Sequence, residues 1–438
     1  MILLAAVAIV VAAIAASARG IDVRLALFAA ALALGALGGD LAAIARAFFD
    51  TFSNEKFVVP ICSSMGFAYV LKRTGCDAHL VRLLMAPLRR VRALLVPGVI
   101  LVGFIVNIPL ISQTSTAVCL GTVVIPLMRA AGYSMRTIGS TLLLGASIGG
   151  ELLNPGAPEL LTVKNYTGTD TQILTQRYLP QLVFPLLGVA GLAFWLQTLR
   201  IERKRPIAAD AVAPPEEVEP LNGVRALVPL VPLVLLVLAG PPFDIVRIPD
   251  DWVALKPELV RSRQIGLAML VGVGAAALAA PRAAKDCLRA FFEGAGYGFT
   301  HIVSLIVIAT CFGEGIRAVG LAGVLGGFIR DNPDALQPLA AGVPWAFAWM
   351  SGSGMASTQS LFGFFVEPAA NLQQDANAVG ALVSVGAAVG RTMSPVAAVT
   401  LMTAALVGEN PLALVKRIAG PALLGLVAVV ILRMLGWV

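Results

Sequence analysis

The feature that most constrains this chain is a succession of apolar runs, many of them long enough to cross a lipid bilayer. A helix of about 20 apolar residues spans the hydrocarbon core, where backbone groups must be hydrogen-bonded within their own segment. Of the 438 residues, 58% are hydrophobic and only 13% are charged, and the mean hydropathy is +0.87. Soluble domains carry roughly 25% charged residues. The sequence therefore predicts an all-α polytopic membrane protein.

The charged residues and cysteines exclude several other classes. The net charge is +7, but basic residues collect in a few segments between apolar runs, as they do in cytoplasmic loops. We therefore expect the lipid bilayer, and not a nucleic acid, as the partner. The five cysteines form no Cys-x-x-Cys pair, so no disulfide frame or zinc site is indicated. Residues 1–20 lack a basic leader and are interpreted as a first span, not a cleaved signal.

Three short matches indicate that the chain is an internal duplication. Each pair of segments is separated by about 240 residues, and the three pairs occur in the same order. The paired segments are 46–50 with 289–293, 115–126 with 357–368, and 145–155 with 386–395.

The basic residues indicate that the two halves are inverted in the membrane. Segment 72–92 contains six Lys or Arg residues, whereas its counterpart, 314–332, contains only two. Since Lys and Arg favour the cytoplasmic side, equivalent points of the halves are predicted on opposite sides. This is the inverted-topology repeat of many secondary transporters, whose substrate site lies at the repeat interface near the bilayer midplane.

The predicted organisation has about ten spans, two re-entrant hairpins and two interrupted helices, with both termini outside. The first repeat is 1–199, with a hairpin at 94–130 and an interrupted span at 136–164; a cytoplasmic linker follows at 200–225; the second repeat is 226–438, with a hairpin at 335–370 and an interrupted span at 376–408. The spans are predicted near 2–17, 24–39, 57–72, 136–164, 178–199, 226–241, 264–281, 297–313, 376–408 and 417–436.

The tips of the two hairpins are rich in Ser, Thr, Gln and Gly. Such residues at membrane depth favour ion and anion binding, because non-helical backbone is tolerated there only when buried in protein or lining a cavity. Helix packing is the alternative, since small residues are also common between spans. The symmetric positions favour a site. Its candidate residues on the tips are Gln113, Thr114, Ser115, Thr116, Ser353, Gly354, Ser357 and Thr358.

Each hairpin is followed by a span that Gly and Pro interrupt. A broken helix places helix ends inside the membrane, with partial positive charge at N-termini and partial negative charge at C-termini; a simple kink is the alternative. The predicted break residues are Gly149, Gly150, Pro155, Gly390 and Pro395, and the neighbouring candidate substrate ligands are Asn154, Thr392 and Ser394.

Arg391 and Glu151 are charged residues within these predicted spans. A charge at a helix centre costs about 2.5–3.5 kcal/mol on insertion scales, so each needs compensation. Arg391 matches a carboxylate in a bidentate manner and is a candidate substrate ligand. Glu151 is either the counter-ion of Arg391 or a group that couples transport to a proton or cation. Pairing favours the first role, because it relieves both burial costs.

The second half in particular resembles the DcuC-type carriers of C4-dicarboxylates, within the ion transporter superfamily. The resemblance rests on Gly352-Ser353-Gly354, on Gly390-Arg391-Thr392-Met393-Ser394-Pro395 and on Val415-Lys416-Arg417, together with Ser115-Thr116 and Leu153-Asn154-Pro155. It implies a homodimeric secondary transporter of succinate, fumarate, malate or aspartate that works by an elevator-type movement.

The resulting hypothesis is ion-coupled carriage of a dicarboxylate in a bacterial inner membrane, without an enzymatic activity or a cofactor. The coupling ion is Na⁺ or H⁺, and a sodium site is considered near Ser115, Asn154 and Ser357. A carrier of another small organic anion or of an amino acid is the alternative within transporters. An ion channel and an intramembrane enzyme are the alternatives outside them.

Overall fold

The structure is a computed structural model that describes residues 2–19, 21–86, 92–202, 220–239, 245–246, 253 and 256–437. The described residues form helices and connecting turns, with no β-strand among them. Most of the predicted linker, residues 203–219, lies outside the described residues, as do residues 240–241 of a predicted span. The α-helices are α1 (Ile2–Ala18), α2 (Val23–Gly38), α3 (Leu41–Phe52), α4 (Glu55–Thr74), α5 (Cys76–Met85), α6 (Arg92–Asn107), α7 (Gln113–Ala130), α8 (Met135–Ser147), α9 (Pro158–Thr167), α10 (Thr171–Glu202), α11 (Gly223–Leu238), α12 (Pro257–Ala279), α13 (Pro281–Ala318), α14 (Leu321–Asp331), α15 (Leu336–Ser351), α16 (Gly354–Leu361), α17 (Gly363–Asn371), α18 (Ala376–Thr392), α19 (Ala398–Val407) and α20 (Pro411–Met434).

Four helical segments among the described residues are long and apolar enough to cross a membrane: α10, most of α12, α13 and α20. Shorter apolar segments lie in α1, α2, α6, α11 and α19. Large apolar side chains are exposed on the long helices, including Leu278 at 84% and Phe292 at 69%. Apolar surface of this kind is stable against lipid and unfavourable in water. The all-α membrane class is therefore confirmed, while the ten-span threading stays a prediction.

The helices occur in the same order in the two halves. The series α4 to α10 is matched by the end of α13 followed by α14 to α20, with α16 and α17 together standing where α7 stands. Left-handed glycines lie just after equivalent helices: Gly75 caps α4 and Gly320 follows the last residue of α13 by two positions, and Gly168 and Gly408 cap α9 and α19. Positive φ at a helix C-terminus favours glycine, which has no Cβ to clash.

The halves differ where α3 and α4 meet. In the first half, Asn54 caps α4 by accepting a hydrogen bond from the N–H of Lys56 (2.9 Å), so α3 and α4 are separate helices. In the second half, α13 runs through the equivalent point as one helix with a π-helical turn at Phe299–Val303. A π turn inserts an extra residue into the helical ladder and often marks a functional position.

Close backbone contacts join each first hairpin helix to the interrupted span that follows it. In the second half, a Cβ added at Gly386 would lie 2.2 Å from the carbonyl oxygen of Ala341, and one at Gly390 would lie 2.1 Å from that of Trp345. In the first half, a Cβ at Gly150 would lie 2.4 Å from the carbonyl oxygen of Phe104. Small residues allow helices to approach this closely. Each hairpin is therefore packed directly on the broken helix beside it.

A second contact of this type joins α4 to α13. A Cβ at Gly294 would lie 2.4 Å from the carbonyl oxygen of Met65, and one at Gly66 would lie 2.6 Å from the ring of Phe291. The α4–α13 pair thus brings one helix from each half into direct contact, and it forms one wall of the site described next.

Candidate functional site

A cavity of about 220 Å³ lies between the two hairpin tips and the α4–α13 pair. The tips contribute Ser112, Gln113 and Thr114 from the first half and Gly352, Ser353, Gly354 and Met355 from the second. The opposite wall is Met65 of α4 with Tyr297, His301 and Ile302 of α13. The remaining lining residues are Ile111, Glu159, Arg391, Ala398 and Val399. The structure therefore brings both predicted tips and Arg391 to one cavity.

Four helices begin at this cavity: α7, α9, α16 and α19. Helix N-termini carry free N–H groups and partial positive charge, which favour an anion. The first turn of α9 contains an acidic residue, Glu159, whereas the first turns of α7, α16 and α19 contain none. Three N-termini thus retain their partial positive charge for an anionic ligand.

The first tip is fixed by hydrogen bonds within its own turn. Ser112 caps α7 by accepting from the N–H of Ser115 (3.3 Å). The hydroxyl of Thr116 lies within hydrogen-bond distance of the carbonyl oxygens of Leu110 (3.3 Å) and Ser112 (3.1 Å). The Asn107 amide also donates to Leu110 (3.0 Å). These bonds hold the chain out of helical geometry and aim the start of α7 at the cavity.

The first break is tied to that tip. Gly149 has φ +106°, which begins the break after α8. The N–H of Glu151 donates to Asn107 Oδ1 (3.1 Å), and the Asn154 amide donates to the carbonyl oxygen of Ile108 (2.8 Å). Asn154 Oδ1 accepts from the N–H of Gly156 (2.8 Å), closing the turn that contains Pro155. The break and the tip therefore form one unit.

The second tip is built on the same plan. Gly352 has φ +74° and ends α15, and Ser353 caps α16 by accepting from the N–H of Ala356 (3.2 Å). The Ser357 hydroxyl donates to the carbonyl oxygen of Pro344 (2.7 Å). In the following break, which contains Pro395, Ser394 Oγ accepts from the N–H of Val396 (3.4 Å). Local capping thus sets the start of α16 beside Arg391.

Arg391 links the two interrupted helices. Its Nη2 donates to Glu151 Oε1 in a buried ion pair and to the carbonyl oxygen of Ser147 (3.2 Å). Thr392 donates to the same carbonyl oxygen (2.7 Å). Arg391 Nη1 lies 3.7 Å from Glu159 Oε1. Among the described residues, Nη1 and Nε of Arg391 have no hydrogen-bond partner. The guanidinium is therefore both a structural link and a remaining donor at the cavity.

The predicted site residues fall into two groups. Gln113, Thr114, Ser353, Gly354 and Arg391 line the cavity, whereas the other candidates do not. Four of these other candidates use their side chains to hold the tips and breaks in place: Thr116, Asn154, Ser357 and Thr392. Seven belong to the turns or the close contacts: Ser115, Ser394, Pro155, Gly149, Gly150, Gly390 and Pro395. Thr358 is buried in α16.

The residues considered for sodium do not line this cavity. Asn154 Oδ1 and Ser357 Oγ are each engaged with a backbone group, and Ser115 lies in the first turn of α7. Among the described residues, no cluster of three or more His, Cys, Asp or Glu side chains could hold a metal ion.

Sequence reasoning missed Glu159, Met65, Tyr297 and His301. Glu159 directly follows Pro158 at the start of α9, and this acidic residue in an apolar span was the available signal. Tyr297 and His301 stack on each other, with ring centroids 4.0 Å apart. Tyr297 precedes the π turn of α13 and His301 lies within it, on the helix that contacts α4, and no local motif indicates this placement.

Comparison with known proteins decides the family. Residues 57–437 match the family described as DcuC, C4-dicarboxylate anaerobic carrier. This chain belongs to the DcuC family. The predicted resemblance is thereby confirmed, and the family is one of transporters, not enzymes.

Individual relatives of this DcuC-family chain agree. It is 26% identical over 381 residues to the "Probable anaerobic C4-dicarboxylate transporter DcuC" of Vibrio cholerae, covering 84% of this chain and 79% of that one. A 93-residue stretch is 40% identical to an uncharacterized transporter of Haemophilus influenzae, covering 21% of this chain and 64% of that relative.

A solved structure supports the fold of this DcuC-family chain. The YdaH transporter of Alcanivorax borkumensis, whose crystal structure is described as having an unusual topology, matches with a TM-score of 0.58. The match covers 94% of this chain and 97% of that chain at 16% sequence identity. At this identity the likeness establishes the fold of a membrane transporter.

Proposed function

We propose that this chain is a secondary transporter of C4-dicarboxylates, such as succinate, fumarate, malate or aspartate, in the bacterial inner membrane. The observation that carries the proposal is the cavity where three helix N-termini without acidic residues and the Arg391 guanidinium converge. Its volume of about 220 Å³ corresponds to roughly seven waters at ~30 Å³ each. That space suits a small organic anion.

A substrate with two carboxylates fits the two helix N-termini at this cavity better than a substrate with one. The start of α7 in the first half and the start of α16 in the second half are equivalent N-termini at the same cavity. A four-carbon diacid would place one carboxylate at each, with Arg391 Nη1 beside α16 as a charge-assisted donor. A monocarboxylate would leave one of these N-termini without an anion.

The movement we propose is of the elevator type. Tips and breaks are joined to each other by the Glu151–Asn107 contact in the first half, and Arg391 and Thr392 join the broken helices across the halves. The α4–α13 pair forms the opposite wall of the cavity. If the linked tips and breaks move as one body against this pair, the cavity opens to alternate sides. We also propose that the transporter is a homodimer whose interface lies on other surfaces, and that transport is coupled to Na⁺ or H⁺.

The test is labelled succinate counterflow in proteoliposomes loaded with unlabelled succinate. We expect saturable uptake that is accelerated by internal succinate and inhibited by fumarate, malate and aspartate, but not by acetate or lactate. Inhibition by acetate and lactate at equal concentrations would instead assign a monocarboxylate carrier. Uptake without acceleration by internal substrate would favour a channel, and absence of uptake would contradict the dicarboxylate assignment.

A further inference from the structure

Glu159 is a buried carboxyl group that, when ionised, carries the same negative charge as the proposed ligand and repels it. It is 2% exposed, lines the cavity, and has one oxygen, Oε2, without a hydrogen-bond partner among the described residues. Its other oxygen lies 3.7 Å from Arg391 Nη1. Glu151, by contrast, is bonded directly to Arg391 Nη2.

The charges around the cavity do not balance when both carboxyl groups are ionised. One guanidinium then faces two carboxylates, which leaves a net charge of −1 before any substrate binds. Two like unit charges 4 Å apart repel by about 4 kcal/mol at an effective dielectric constant of 20. A dianion next to ionised Glu159 would therefore be strongly disfavoured.

The other walls of the cavity offer no second carboxyl group whose protonation could relieve this repulsion. From α13 the titratable lining side chains are Tyr297 and His301, which stack on each other. The lining residues of α4, α7, α16 and α19 include no Asp, Glu, Lys, Arg or His. Arg391 of α18 and Glu151 of the first break complete the set. Among these groups Glu159 alone is an acid with an oxygen at the cavity and no direct bond to the guanidinium.

We propose that Glu159 is the proton-coupling group of the transporter: it takes up one proton as the dicarboxylate binds and releases it when the substrate leaves. The proton comes from the aqueous phase on the side of entry, binds to a carboxylate oxygen, and returns to water on the side of exit. The carboxyl group is neutral while the dianion occupies the cavity, so substrate and proton cross together. This inference rests on the proposed function, since it needs a dianionic substrate in this cavity.

The first test compares wild type with Glu159→Gln in succinate counterflow at several pH values. For wild type we expect the KM to rise with pH, by at most tenfold per unit, because one proton is linked to binding. For Glu159→Gln we expect a KM independent of pH and lower than that of wild type at the alkaline end. The variant should also lose accumulation driven by an acid exterior. Glu409→Gln, at a partly buried acid that pairs with Arg136 and does not line the cavity, is the control and should behave as wild type.

A second measurement needs no variant. Purified wild-type protein in weakly buffered detergent solution should take up close to one proton per succinate bound, read with a pH indicator dye. No proton uptake on saturable succinate binding would overturn the inference and leave the transport proposal intact. Persistence of pH-driven accumulation in Glu159→Gln would also overturn the inference. So would a variant that selectively loses aspartate transport while its pH dependence is unchanged, because Glu159 would then be the partner of the substrate's ammonium group. Absence of wild-type counterflow would instead contradict the proposed function itself.

Discussion

Arg391 and Glu151 form a direct ion pair inside the protein. Both side chains are almost fully buried, and their ion pair crosses between the two broken helices. Removing one partner of a buried pair costs about 3–5 kcal/mol, because the other charge is left uncompensated. The same pair therefore stabilises the site and limits the positive charge available to a ligand.

The prediction for this pair is a non-additive double-mutant cycle. Arg391→Met and Glu151→Leu should each lower the thermal unfolding temperature in detergent. The double variant should be more stable than the sum of the single effects implies, with a coupling of about 1–3 kcal/mol. Additive losses would mean that the two groups do not depend on each other.

Asp77 provides a pH-dependent test outside the predicted spans. It lies in the first turn of α5, is buried, and accepts a hydrogen bond from the N–H of Ala78 (2.8 Å). Burial raises the pKa of Asp77 from 3.8 to about 6. Because the folded state then binds the proton more tightly than the unfolded state, stability falls as pH rises from about 4 to 6, and the loss persists above that range.

Asp77→Asn should therefore stabilise the protein at pH 8, by about 3 kcal/mol, and most of this gain should be lost at pH 4. Thermal unfolding of purified protein at both pH values measures this difference. The matched control is Asp334→Asn, at an exposed position, which should change the unfolding temperature little at either pH. A gain that is equal at the two pH values would contradict the ionisation account.

The residues that could be predicted from sequence are those with an unusual type for their surroundings. A charge such as Arg391, or Gly and Ser clusters such as those around Gly354, are conspicuous in apolar runs. The sequence did not distinguish the residues that line the cavity from those that hold its tips in place. Thr116 and Ser357 have the same chemistry as Thr114 and Ser353. Their different roles depend on which carbonyl oxygen each hydroxyl meets after folding.

At the scale of helices, glycines decide which helices pack backbone to backbone. The α15–α18 contact is the clearest, since Gly390 faces the carbonyl oxygen of Trp345 with no room for a methyl group. Helix order and approximate bounds could be predicted from apolar periodicity and from Gly and Pro. The continuity of α13 through its π turn could not, because it depends on packing and not on a local capping signal.

Gly390→Ala should lower stability, by about 1–3 kcal/mol, because the new methyl group would lie 2.1 Å from the Trp345 carbonyl oxygen. The control is Gly342→Ala in α15, where an added Cβ meets no atom within 4 Å. Alanine is the better helix former by about 1 kcal/mol, so the control should be neutral or stabilising. Equal effects in thermal unfolding would contradict the close packing of α15 on α18.

For the molecule as a whole, the cavity depends on both halves of the chain. Each half supplies one tip and one broken helix, and the cavity exists only where the two sets meet against α4 and α13. The matches between 46–50 and 289–293, and between 145–155 and 386–395, predicted two related halves. They contained no information on how far apart the tips lie, since that distance is set by contacts between residues some 240 positions apart, such as Arg391 with Glu151.

The central claim is that a C4-dicarboxylate binds in the cavity that both tips enclose, and equilibrium binding of labelled succinate to purified protein tests it most directly. The comparison is between wild type and one space-filling variant from each half, Thr114→Trp and Gly354→Val. A Cβ at Gly354 would lie 3.1 Å from Arg391 Nη1, so the larger side chain occupies the proposed carboxylate position. We predict saturable binding to wild type and at least a tenfold loss of affinity in both variants, each of which should still unfold in a single cooperative transition. Saturable binding that either variant retains at full affinity would contradict the claim.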